Sequence, residues 1–279
     1  VKEDLLRFDG SKLFPKRMSY TAQYDLSPNE AHLYAEVTEY VREEMNRAER
    51  FADKESTRKV NVGFALMTLQ RRLASSPAAI HRSIERRRER LEARLREEQL
   101  VFRGKEVGGL LTKEEAPQLD DDDVEELYDD APQDEREEVE QKVVDHATAA
   151  RTIAELQAEI LRLKELEGLA KSVHGSGDDT KWQELSRLLD DPLMTDEHGT
   201  RRKLVIFTEF KDTLQYLVRR IRTRIGKPEA VVEIHGGVTR DDRRRVVEGF
   251  MNDPTVLVLV ANDAAGEGVN LQRAHLMVN

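Results

Sequence analysis

The 279 residues carry a net charge of −10, with 36% charged, 38% hydrophobic and 5% aromatic side chains. That balance is lean for one compact globule and points to long, charged, solvent-facing helices beside a smaller packed domain. Cysteine is absent, which excludes disulfides and thiolate chemistry; no apolar run approaches membrane-spanning length and no signal-like region opens the chain, so the expectation is a soluble, cytoplasmic protein with no membrane partner.

Residues 1–17 are mixed and turn-rich, and Met18 to Leu26 alternates enough to suggest a strand. Ser27-Pro28-Asn29-Glu30 has the composition of a helix start, with Ser as N-cap and Glu three residues on; the helix is expected to run to about Arg50. Val60 to Leu73 is apolar around much of its circumference and reads as a buried helix. After Ser76-Pro77, a helix rich in Arg and Glu runs to about Phe102 on a narrow apolar stripe of Ile80, Ile84, Leu91 and Leu95. It reads as one arm of a solvated antiparallel pair, with a phosphate-binding ridge as the alternative.

Thr112 to about Gln141 is the outlier. Asp120 to Asp123, Glu125, Glu126, Asp129, Asp130 and the acids between Glu135 and Glu140 form a like-charge block, expected to be solvated or disordered. It lacks a glycine-bearing calcium-loop pattern, so no metal site is expected. Val143 to about Lys171 repeats Ile153, Leu156, Ile160, Leu163 and Leu166 at helical spacing and is expected to be one long helix, the second member of the arm. Lys181 to Leu189 is a short helix.

From Arg201 the grammar changes. Lys203 to Thr208 is an apolar strand, Asp212 to Ile225 a helix, Ala230 to Ile234 a strand, Thr239 to Met251 a helix capped by Thr239, Val256 to Val260 a strand and His275 to Val278 a strand. Strand–helix–strand–helix–strand implies a parallel sheet with crossover helices. Every conspicuous polar group follows a strand: Thr208 and Glu209, then His235-Gly236-Gly237, then the glycine-rich run Asn262 to Asn270. In a parallel sheet these positions gather at one edge, where ligands bind. Arg240, Arg243, Arg244 and Arg245 add positive charge nearby. Glycine N–H groups, helix N-termini, hydroxyls and arginines suit phosphates, whether of a nucleotide or of a nucleic-acid backbone.

These residues carry a resemblance. Val205-Ile206-Phe207-Thr208-Glu209 resembles motif IV of superfamily 2 helicases, Ile234-His235-Gly236-Gly237 with Arg243 resembles the motif that follows, and Asn262 to Gln272 resembles motif V in the form of Swi/Snf-type and related bacterial helicase-like ATPases. Val1 to Asp4 with Leu26 to Glu30, and Gln70 to Pro77, are similar to the inter-lobe junction and the helical insertion of such proteins. The resemblance implies an α/β fold with a RecA-like parallel sheet, preceded by a large all-helical region with a long antiparallel arm. It divides the chain into an inter-lobe junction with the first helix (1–50), a helical insertion (51–195) and an incomplete C-terminal RecA-like lobe (196–279). It implies ATP hydrolysis between two lobes that drives movement along nucleic acid, DNA in preference to RNA. Thr208, Gly236, Thr239 and Arg243 would face the nucleic-acid backbone. Asp263, Gly266, Glu267, Gly268 and Asn270 would form the ATP-contacting, coupling loop.

The departures bound that expectation. No G-x-x-x-x-G-K-[ST] phosphate loop and no Asp-Glu-x-His motif occurs in the sequence. Both belong to the first lobe of such proteins, and the arginine-bearing motif VI is expected beyond Asn279. The chain is therefore expected to hold no catalytic residue of its own, to need a separate N-terminal lobe as partner, and to show no ATPase activity alone, with ATP and Mg used by the parent protein and none bound here. The rival expectation is a protein-interaction module that uses the helical arm, with the α/β lobe as a passive platform.

Overall fold

The computed structural model describes residues 18–52, 55–101, 117–262, 271 and 273–279. Met18 to Ser27 is irregular chain rather than a strand: a strand needs a neighbour, and among the described residues every strand belongs to one sheet near the other end of the chain. Ser27 then closes a capping box on α1 (Pro28–Ala48). Its hydroxyl accepts from the Glu30 N–H, and the Glu30 carboxylate accepts from the Ser27 N–H at 2.8 Å.

Five further helices complete a bundle: α2 (Ser56–Ser75), α3 (Pro77–Val101), α4 (Asp121–Asp129), α5 (Gln133–His146) and α6 (Ile153–Ser176). α3 and α6 lie antiparallel, as expected: His81 stacks on His174 with ring centroids 6.0 Å apart, Arg88 meets Glu167, and Lys164 Nζ reaches Glu92 Oε1 at 2.9 Å. The pair is not a free-standing arm. Leu33, Val37, Leu66, Leu69, Ile80, Ile84, Leu91, Val143, Val144, Leu156 and Leu163 share one buried cluster, so α1, α2 and α5 cover its inner side. Arg87, in the charged stripe of α3, is fully buried.

One expectation is met in part and another fails, for physical reasons. From residue 117 onward the acidic stretch forms α4 and α5, while Asp120 to Asp123, Glu125, Glu126, Asp129 and Asp130 stay exposed to solvent. Asp120 and Asp123 form a reciprocal capping box, and the acids of each first turn complement the helix dipole. Arg71 of α2 meets Glu140 at 3.0 Å and Arg136 of α5 lies 3.9 Å from the same carboxylate, so cations of a neighbouring helix and of α5 itself offset part of the like-charge block. The helix expected from Val143 to Lys171 is also two helices. α5 stops at His146, and Thr152 restarts the chain with its own capping box to Glu155.

The second unit is a three-layer α/β/α lobe. β1 (Leu204–Phe207), α8 (Lys211–Ile225), β2 (Val231–Ile234), α9 (Arg240–Asn252), β3 (Val258–Ala261) and β4 (Leu276–Val278) give an all-parallel sheet of order β2-β3-β1-β4. Period-two alternation sends Leu204, Ile206, Val258 and Val260 to one face, against Leu214, Val218 and Ile221 of α8. Val205, Leu259, Ala261 and Ile234 face the other side, against Phe250 of α9. The first face also buries Leu189 of α7 (Thr180–Asp190) and Met194, with Trp182 and Leu185 packed against them, so the lobe's apolar core begins in α7. Gly226, at φ +72°, ends α8 in the left-handed conformation that lets the chain turn back to β2. No helix of the described residues is long and apolar enough to cross a membrane.

Candidate functional site

Sheet register determines which polar residues meet. Phe207 and Ile234 both pair with Ala261, so Thr208, His235 and Asn262 emerge level at the carboxyl edge of β1, β2 and β3. Backbone bonds hold that alignment: Thr208 N–H donates to Ala261 O at 2.9 Å and Asn262 N–H to Ile234 O at 3.1 Å. β3 lies between the other two strands, so Asn262, which is buried, occupies the centre of the edge.

Beyond β2 the chain turns tightly. Val238 N–H donates to His235 O at 2.9 Å, and Gly237 N–H donates to His235 Nδ1 at 3.1 Å. The second bond leaves Nδ1 as acceptor and the proton on Nε2. Burial, reinforced by the Lys211 ammonium, pushes the His235 pKa down, so the ring is neutral at pH 7. Thr239 then caps α9. Its hydroxyl accepts from the Asp242 N–H at 3.2 Å and donates to Asp242 Oδ2 at 2.7 Å. Thr239 is exposed, Arg243 half-buried, and Arg240, Arg244 and Arg245 exposed, the last two making local pairs with Glu248 at 3.0 Å and Asp242 at 3.3 Å. α9 thus presents its N-terminus and an arginine-rich first turn and a half at the strand-end edge.

Of the residues singled out in the sequence, Thr208, Gly236, Thr239 and Arg243 are brought to this edge. Asp263, Gly266, Glu267, Gly268 and Asn270 lie outside the described residues, as does residue 272. Gln70 to Pro77 forms the end of α2 and the start of α3, and packs on α8: Ser75 Oγ and Ser76 Oγ lie 2.7 and 2.8 Å from Thr213 Oγ1.

Sequence reasoning missed what else reaches the edge. Glu209 forms an ion pair with Arg71 of α2. Its carbonyl accepts from Gln133 Nε2 of α5 at 2.7 Å. The N-terminus of α8 has no side-chain cap of its own, and the Lys211 N–H donates instead to Glu137 Oε1 of α5 at 2.8 Å. Gly236 lies against Asp134: a Cβ built on it would be 2.2 Å from the Asp134 Cβ and 3.1 Å from its Cα. Gly236 is therefore required for the close approach of α5, a role that its glycine-rich context in sequence does not reveal. Arg71 and Arg72 face the ring of Phe210, at 5.6 and 4.8 Å from its centroid. An acidic helix beside an arginine helix is visible in composition; its docking on this edge is a matter of tertiary structure alone.

Away from the edge, His81, Glu85 and Glu167 bring their ligand atoms within 4.8 Å of one another. Arg88 already engages Glu167, so that group is partly neutralised by a cation of the chain itself.

Residues 180–279 match the helicase conserved C-terminal domain. That span starts at α7, the helix whose apolar side chains open the lobe's core. Among solved structures, the chain is similar to a crystal structure of the C-terminal part of the Fun30 ATPase domain, at 16% identity and a TM-score of 0.44, covering 91% of this chain and 72% of that one. No curated protein matches.

Proposed function

We propose, from the helicase-type C-terminal lobe at residues 180–279, that this chain is the nucleic-acid-facing second half of an ATP-dependent translocase of the Swi/Snf type, acting on DNA. The observation that carries the reading is the common level of Thr208, His235-Gly236 and Asn262 at the strand ends, with Thr239 and the arginines of α9 beside them. Thr208, Gly236, Thr239 and Arg243 contact a phosphate backbone in this reading, through hydroxyl, backbone and guanidinium donors that hold position without reading sequence. The segment with Asp263, Gly266, Glu267, Gly268 and Asn270 follows β3 directly and links that surface to the nucleotide.

ATP and Mg fit this chain only in part. The sequence contains no phosphate loop to grip a triphosphate, so a separate lobe supplies the grip and the chemistry of phosphoryl transfer. This chain's contribution is to bind and orient. The 279 residues alone are expected to hydrolyse no ATP above background, with or without DNA.

The test is the salt dependence of binding to a fluorescein-labelled duplex DNA, read by fluorescence anisotropy. Neutralising Arg240, Arg243, Arg244 and Arg245 to Gln should weaken binding across all sequences. It should also reduce the magnitude of the log–log salt slope by about one for each phosphate that is no longer neutralised. Binding that is unaffected by both the substitutions and the salt would sink the reading and favour a protein partner on the helical bundle.

A further inference from the structure

The strand-end edge is already in contact with an anion-bearing element of the same chain. α5 begins Gln133-Asp134-Glu135-Arg136-Glu137-Glu138, four acids and one arginine, and its first turns lie on the edge just described. Glu137 Oε1 takes the Lys211 N–H at the head of α8. That amide is the first of the unsatisfied donors of a helix N-terminus, which carries partial positive charge and binds phosphate oxygens readily. Asp134 lies over Gly236, and the Gln133 amide holds the Glu209 carbonyl. The Glu137 carboxylate on the α8 N-terminus stands where a phosphate oxygen would make the same contact, and the Asp134 side-chain carbons cover Gly236 beside it.

Two further observations show that this contact is held less firmly than the rest of α5. The helix has Pro132 at its N-cap and no side-chain cap, so its first turn lacks the usual hydroxyl or carboxylate that fixes a helix start. At the contact itself, Gln133 Oε1 is buried without a hydrogen-bond partner, as are Nε and Nη2 of the neighbouring Arg72. Unpartnered buried polar atoms lower the stability of whatever buries them. The other end of α5 is anchored, with Val143 and Val144 fully buried in the bundle. A helix fixed at its C-terminal half and uncapped at its N-terminal half can release its first turn without unfolding the bundle.

We propose that the first turns of α5 are a built-in competitor for nucleic acid: Asp134 and Glu137 occupy the α8 N-terminus and the Gly236 surface, and the backbone of a bound strand displaces them. The inference rests on the preceding reading of this edge as a nucleic-acid surface. The apparent affinity of such a site is reduced by the fraction of molecules in which the competitor has left, so loosening the competitor tightens binding. Burial raises the Glu137 pKa while the Lys211 N–H lowers it, in keeping with a carboxylate that is desolvated in place and retained by that one donor.

The experiment compares the full chain with Asp134→Asn/Glu137→Gln, both near-isosteric, for binding to the same labelled duplex DNA. The control is Glu135→Gln/Glu138→Gln, which removes equal charge from two exposed residues of the same turns. The first variant should bind about five- to thirtyfold tighter than the parent, the factor that weakening one partly buried carboxylate–helix-terminus contact amounts to. The control should gain far less. Hydrogen exchange supplies a second readout: DNA should speed amide exchange at residues 136–138 of the parent, the first of α5 whose N–H groups are held by helical bonds. Equal gains in both variants overturn the inference and leave the surface reading intact, since they show only a change in net charge. Equal affinity of the parent and both variants overturns it in the same way. No binding by any of the proteins overturns the surface reading and the inference with it.

Discussion

Arg87→Met should be among the most destabilising single substitutions in the helical bundle. Arg87 and Glu159 are buried, with side-chain exposures of 1% and 0%, and Arg87 Nη2 lies 2.7 Å from Glu159 Oε1. Arg87 Nε bonds Tyr40 OH at 3.0 Å, Tyr40 OH donates to the same Glu159 oxygen at 3.0 Å, and Arg87 Nη1 donates to the Val144 carbonyl. Thr148 Oγ1 donates to Glu159 Oε2, so four segments, α1, α3, α6 and the α5–α6 connection, converge on one carboxylate. Methionine approximates the length of the arginine stem but leaves Glu159 charged and unpaired in a dry interior. Stranding one partner of a buried pair costs about 3–5 kcal/mol. Against the roughly 5–15 kcal/mol by which domains are stable, that loss is large. The assay is urea unfolding followed by far-ultraviolet circular dichroism, run as a double-mutant cycle with Glu159→Leu. The double variant should be more stable than the sum of the single losses implies, by about 2 kcal/mol or more, because no uncompensated charge remains. It should still fall short of the parent, since the Tyr40 hydroxyl and the Val144 carbonyl lose the side-chain bonds that Arg87 and Glu159 make with them. Strictly additive losses, or an Arg87→Met cost below about 1 kcal/mol, would refute the reasoning, since either implies a pair that water reaches.

Two further outcomes follow from single sites. Burial, with Glu159 nearby, raises the Glu44 pKa to about 7 despite Arg47 Nη1 at 3.1 Å. A carboxyl whose folded pKa is raised contributes stability that is fully present below its unfolded value and is lost as pH rises through about 7, so Glu44→Gln should flatten the fall in stability between about pH 4.5 and pH 7 by about 1–3 kcal/mol. Urea midpoints at both ends of that window check it, and parallel pH profiles for variant and parent would contradict it. Gly236→Ala should cost about 1–3 kcal/mol, because the added methyl meets Asp134 side-chain and backbone carbon and α5 must shift; a thermal midpoint equal to the parent's would show that the first turn of α5 yields without cost.

The lobe is legible in sequence because each of its signals is local. Val205, Ile206, Val258 and Val260 form short apolar runs, and Thr239 with Asp242 announces a helix start three residues apart. A parallel sheet then fixes which loops meet, so Thr208, Gly236 and Thr239 can be grouped from their places after the strands. The bundle is less legible because its signals compete. Thr152-Ile153-Ala154-Glu155 is a capping box in plain sequence, yet the apolar stripe on either side of it masks the break between α5 and α6. The acidic block satisfies the compositional signature of disorder, but composition does not show that Arg71, Arg86 and Arg136 approach it from other helices or from its own next turn. Arg87 looks like any other arginine of a charged face; only the convergence of Tyr40 and Glu159, 47 and 72 residues away in the chain, makes burial tolerable.

The bundle and the lobe meet through polar contacts for the most part. Ser75 and Ser76 flank Thr213, and Asp212 lies 3.5 Å from Arg72 and 3.2 Å from Arg86. Hydroxyls and ion pairs can exchange partners with water at modest cost, whereas an apolar seam would lose its whole burial term on opening. Polar junctions of this kind permit relative motion of the units they join. The head of α8 belongs to both surfaces at once: Lys211 is held by α5, and Asp212 and Thr213, one and two residues later, are held by α2 and α3. A ligand that favours the edge without the first turn of α5 therefore shifts the same few residues on which the bundle rests, in proportion to its preference for the open form. Contact at the strand ends and the placement of the bundle are coupled through one turn of helix; the Glu137 substitution acts on that turn directly, and those at Asp134 and Gly236 act on the seating of α5 beside it.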